Sequence, residues 1–79
     1  MKIIFDLIRA GSTLNDRLVD ECRIKGIVNN EIVLYGQCLK EKNGSIVIKR
    51  DSIEWRIGSN HRNKFIETLK EQDISYTIV

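Results

Sequence analysis

The stretch Glu21-Cys22-Arg23-Ile24-Lys25-Gly26-Ile27-Val28-Asn29-Asn30-Glu31-Ile32-Val33-Leu34-Tyr35-Gly36-Gln37-Cys38-Leu39 decides the fold, because two strand-like runs flank a turn built on Asn29, Asn30 and Glu31. Side chains on a strand alternate between faces, so the register of this hairpin fixes what meets the core. A three-residue loop sets Val28 opposite Ile32, Gly26 opposite Leu34, Ile24 opposite Gly36 and Cys22 opposite Cys38. Each large residue then meets a small one, and one face is wholly apolar. A two-residue Asn29-Asn30 loop would shift the pairing by one and mix Arg23 and Lys25 into that face. The sequence therefore predicts the three-residue register.

Downstream, Lys42, Asn43 and Gly44 make a second turn, with glycine where positive φ is required. The same rule pairs Cys38 with Ile48 and Lys40 with Ile46, keeping both isoleucines on the core face. Two independent turns thus agree on a three-stranded meander. The alternation then changes phase, since Ile53, Trp55 and Ile57 are odd-numbered, which predicts a bulge or bend at Arg50, Asp51 and Ser52. After Gly58 the period turns helical, with Ser59 or Asn60 as N-cap, Phe65, Ile66 and Leu69 on one stripe, and an expected span from about His61 to Gln72. Ile74, Tyr76 and Ile78 then alternate with Ser75 and Thr77 as a last strand. Upstream, Lys2 to Arg9 reads as a strand, or as a segment that begins helical. A loop at Gly11, Ser12, Thr13, Asn15 and Asp16 is expected to follow it. The expected class is α+β: a small antiparallel or mixed sheet, a β-meander, with one C-terminal helix packed on a face and a final strand.

At 79 residues the chain fits a single domain, residues 1–79. A domain this small buries only roughly 60% of its unfolded surface, which favours a binding surface over a deep substrate pocket. With 42% apolar and 30% charged residues, it has the composition of a globular protein. The apolar run around Ile3, Ile4, Phe5, Leu7 and Ile8 falls far short of the roughly 20 residues that span a bilayer, and no secretory cleavage pattern follows Lys2. No membrane partner and a cytoplasmic location are expected. Cys22 and Cys38 are too few for a disulfide scaffold, and His61 stands alone, so no metal site and no cofactor are expected. Both thiols read as reduced and buried, although their opposition across strands also admits a disulfide or redox switch.

Motifs for catalysis are missing from the sequence: it has no glycine-rich phosphate loop, no metal-spaced cluster and no nucleophile elbow. His61 has no expected nucleophile beside it, and the pairs Asp20 with Glu21 and Asp51 with Glu54 read as solvated charges. A non-catalytic protein is expected. The face opposite the core sets Arg23, Lys25, Gln37 and Lys49 around Tyr35, with Ile27, Val33, Leu39 and Val47 nearby. An aromatic among cations suits single-stranded nucleic acid, which makes Arg23, Lys25, Tyr35 and Lys49 candidate nucleic-acid-binding residues. The competing reading, which the pattern favours, is a half-buried face covered by the amino-terminal segment. Residues 40 to 64 hold seven basic groups against three acidic ones, a mild stripe, yet the whole chain carries only +2. That is too little for a dedicated nucleic-acid binder.

The segment Gly44-Ser45-Ile46-Val47-Ile48-Lys49-Arg50-Asp51-Ser52-Ile53-Glu54-Trp55, with the helix around Phe65 to Leu69 and the terminal strand, resembles small bacterial immunity proteins of polymorphic toxin systems of the contact-dependent growth inhibition type. The preceding Ile-Lys-Gly-Ile-Val strand belongs to the same likeness, which rests on Asp-Ser-Ile-x-Trp and on the order of elements. The resemblance implies a cytoplasmic antidote that binds one cognate protein toxin and blocks it. Trp55 is the anchor to expect, with Asp51, Glu54 and Arg56 as flanking polar contacts, because Trp and Arg concentrate at binding hot spots. Equally, Ile53, Trp55 and Ile57 fit a strand face packed under the helix. The alternative function is a small nucleic-acid-binding or phage-encoded regulatory protein, and an enzyme comes third.

Overall fold

The computed structural model describes residues 1–56 and 60–79. Its elements are β1 (Lys2–Leu14), β2 (Arg17–Val28), β3 (Glu31–Glu41), β4 (Ile46–Ile48), β5 (Glu54–Trp55), α1 (Asn60–Glu71) and β6 (Tyr76–Ile78), with a 3-10 turn at Arg50–Ser52. They form one mixed sheet in the order β1-β2-β3-β4-β6, with β5 paired to β3. Every pairing is antiparallel except β4 with β6. The class is α+β, as the residue pattern predicts.

Across β2 and β3, Gly26 faces Leu34, Ile24 faces Gly36 and Cys22 faces Cys38, as predicted. The turn itself differs. Asn29 and Asn30 both take the left-handed conformation, φ 51° and 63°, so Val28 faces Glu31 and Ile27 faces Ile32 rather than Val28 facing Ile32. Two consecutive left-handed residues give a turn whose twist matches that of the strands, and asparagine tolerates the conformation. An irregularity between Gly26 and Ile27 absorbs the slip and returns the core to the apolar register. Local turn preference and core burial are both met by one extra residue, Val33, which is itself buried.

The β3–β4 turn follows expectation: Cys38 faces Ile48, Lys40 faces Ile46, and Gly44 has φ 90°. The expected phase break is the 3-10 turn. The Ser52 hydroxyl lies 2.8 Å from the Lys49 carbonyl and 3.1 Å from that of Gln37, tying the turn to the middle of β3. Beyond it Trp55 faces Leu34, so an odd-numbered residue has joined the face of Ile46 and Ile48.

The amino-terminal expectation needs correction. β1 continues through Gly11, where φ is 77°, to Leu14, and turns at Asn15 and Asp16 with φ 51° and 64°. Two register shifts let the strand follow the sheet, so the predicted loop shrinks to a two-residue turn. The segment extends the edge of the sheet and pairs with β2. It does not cover the second face.

α1 closes the other face, burying Phe65 and Leu69 against Cys22, Ile24, Leu34, Cys38, Ile46 and Ile48. Its buried Thr68 is satisfied internally, the hydroxyl donating to the Lys64 carbonyl at 2.7 Å. At its end the Ile74 amide donates to Leu69 and the Asp73 amide to Lys70, with Asp73 at φ 54°, which is a Schellman cap. Both predicted N-caps, Ser59 and the Asn60 side chain, lie outside the described residues, as does Ile57, expected on the face of Ile53 and Trp55. β6 follows, placing Tyr76 beside Ile46 and Ile78 beside Ile48. Among the described residues no helix is long and apolar enough to cross a membrane.

Candidate functional site

The side of the sheet away from α1 is open and carries two adjoining depressions. One is lined by Ile8, Glu21 and Gln37, the other by Leu14, Arg17, Glu41, Val47 and Val79, and both share Leu39 and Lys49. Alternation along β2 puts Val19 on this side, yet it is 3% exposed, so the face is dished at that end. Its floor is aliphatic and its charges are mixed. Arg17 lies 3.5 Å from Glu41, and Lys25 lies 3.0 Å from Asp6 on β1.

The four residues expected to bind nucleic acid are only partly assembled. Lys25 faces Tyr35 across the strands, and the Arg23 guanidinium sits 5.4 Å from the tyrosine ring centroid. Lys49 belongs to the shared wall of the depressions instead. Arg23 occupies one face of the ring and Lys25 is paired with Asp6, so both a stacking surface and a phosphate contact are already in use. The Arg23 Nε atom is buried with no hydrogen-bond partner among the described residues.

The second set, Asp51, Glu54, Trp55 and Arg56, is divided by strand alternation. Glu54 faces Tyr35 on the open side, whereas Trp55 faces Leu34 on the helix side. Asp51, Glu54 and Arg56 are exposed, and Trp55 is half-buried. The indole stands edge-on to Phe65, centroids 5.9 Å apart at 72°, and the Arg62 guanidinium lies 5.7 Å over it. Trp55 thus helps form a cleft with Arg50, Ile53, Arg62, Ile66 and Ile78. Sequence reasoning missed Arg62, Ile66 and Ile78 as its companions. The four-residue spacing of Arg62 and Ile66 on one helix face was the available signal.

Burial pushes the Cys38 thiol up to about 12, with the neighbouring Cys22 adding to the rise and Lys40 opposing it. Burial raises Cys22 as well, followed by the charge of Asp20. Both cysteines are free and stay protonated near neutrality, which makes them poor nucleophiles. Among the described residues no group of three His, Cys, Asp or Glu side chains is placed to hold a metal ion. Comparison of the chain with protein-family models, with curated proteins and with solved structures gives no match.

Proposed function

We propose that this chain is a non-catalytic binding protein, an immunity protein that neutralises a cognate protein toxin in the cytoplasm by forming a one-to-one complex. The likeness of Gly44 to Trp55 to immunity proteins supports the toxin as partner. The observation that carries a protein partner is the open sheet face, with its aliphatic floor of Leu39 and Val47 and its charges of both signs. Protein interfaces combine an apolar centre with a polar rim, whereas a groove for nucleic acid presents one sign of charge. Co-expression with a candidate toxin taken from a neighbouring gene tests the reading. Protected cells and a co-purifying one-to-one complex are expected, and neither protection nor a complex overturns it.

The grouping of Arg23 and Lys25 beside the exposed Tyr35 ring supports nucleic acid as the second reading, although Arg23 already covers one face of that ring. Titration with single-stranded RNA and DNA at low salt decides it. Binding that falls steeply with salt and is lost in Tyr35→Ala would replace the toxin reading.

A further inference from the structure

We infer that the cleft between the 3-10 turn, β5, α1 and β6 is a docking site for an acidic segment of a protein partner, one that presents a carboxylate beside an aliphatic side chain. The inference stands whether or not that partner is a toxin. Arg50 and Arg62 flank the cleft, both exposed, and neither makes an ion pair among the described residues. Among the described residues no acidic side chain lines it. Its walls are Ile53, Trp55, Ile66 and Ile78, the last 36% exposed.

The two guanidinium groups suit carboxylates in particular. A guanidinium that stacks on an aromatic uses its flat face, leaving the N–H donors at its edge free to take a carboxylate in bidentate fashion. The Arg62 guanidinium carbon lies 5.7 Å from the Trp55 ring centroid, within cation–π range, and the group makes no ion pair among the described residues. Apolar walls beside the donors exclude water and strengthen the contact. Within the protein Arg62 is poorly compensated: it sits in the first turn of α1, where the helix dipole disfavours a cation and no acidic residue is present. The aliphatic walls require an apolar neighbour on the ligand. Asp51 stands exposed beside Arg50 and limits the local positive charge, which disfavours a long polyanion.

The test uses the full chain and its single tryptophan as reporter. The probe is the blocked peptide acetyl-Glu-Leu-Asp-Leu-Glu-amide, compared with its Gln and Asn counterpart and with oligothymidylate. Saturable change in Trp55 fluorescence and in its indole N–H resonance is expected with the acidic peptide, about tenfold weaker with the neutral one. Arg50→Gln and Arg62→Gln should each weaken binding about tenfold, with the melting temperature unchanged as both side chains are exposed. Glu54→Gln, on the other side of the sheet, should bind as the wild type does. No saturable response at millimolar peptide, an equal response to the neutral peptide, or tighter binding of oligothymidylate would overturn the inference.

Discussion

Two glycines and two cysteines carry most of the demand made on single residues by this sheet. A Cβ on Gly36 would lie 3.1 Å from the Ser52 carbonyl oxygen and 3.2 Å from the Ile53 Cα, backbone atoms that cannot move without shifting the 3-10 turn. A Cβ on Gly26 would meet the Met1 sulfur at 2.9 Å, the end of a flexible side chain, as well as Leu34. Gly36→Ala should therefore cost about 1 to 3 kcal/mol and Gly26→Ala less, read as shifts of the urea midpoint at constant slope. Equal costs would contradict the close approach at Gly36. The thiols give a second test. Because the folded-state value of Cys38 is raised from 9.0 to about 12, its contribution to stability is complete below about pH 9 and is lost as pH climbs toward 12. The unfolded chain releases that proton first, so stability falls with alkalinity, and Cys38→Ala should flatten this part of the profile. In the folded protein both thiols should react slowly with iodoacetamide at pH 7 and rapidly once urea exposes them.

At the scale of elements, turns and caps explain what was legible. Asn29, Asn30 and Gly44 announce left-handed backbone locally, and alternation announces the face, so the β2–β3–β4 register could be read from chemistry that lies close in sequence. Where the two signals conflicted by one residue, a bulge reconciled them, and no rule of spacing says which signal will yield. β1 was harder, since Ile3, Ile4, Phe5, Leu7 and Ile8 do not alternate cleanly and Gly11 reads as a loop while serving as a kink within a strand. Asn15 and Asp16 carried the same turn chemistry as Asn29 and Asn30 and could have been read as a hairpin. The company of Trp55 was legible only in part: alternation allowed packing under the helix, whereas Arg62 and Ile78 reach the indole only through packing of distant elements. The cap of α1 offers a stability test at this scale. Asp73 holds a left-handed position that glycine adopts without cost, so Asp73→Gly should stabilise the protein by about 0.5 to 1 kcal/mol. Asp73→Val should destabilise it, since a β-branched side chain is strained there; thermal unfolding of both variants checks the order.

Over the whole molecule, 37 by 22 by 21 Å, the sheet separates two surfaces of different character. The open side is charge-balanced and aliphatic, and the cleft on the helix side is arginine-rich. A protein partner held mainly by the open face should show modest salt dependence, losing less than about tenfold in affinity between 50 and 200 mM salt. Contact with six phosphates would instead lose about 10^3 over that range. Ile8 is 48% exposed and lines that face, so Ile8→Asp should leave the melting temperature of the free protein near that of the wild type. In the complex the same change would bury a charge against an apolar contact and should weaken binding by about 1.4 kcal/mol or more, tenfold in affinity. Trp55→Ala removes a ring packed edge-on to Phe65, so it should lower the stability of the free protein itself by about 2 to 4 kcal/mol, a loss that Ile8→Asp does not share. Calorimetric titration beside thermal melting separates the two. If Ile8→Asp left the affinity intact, the partner would have to contact some part of the molecule other than the open face.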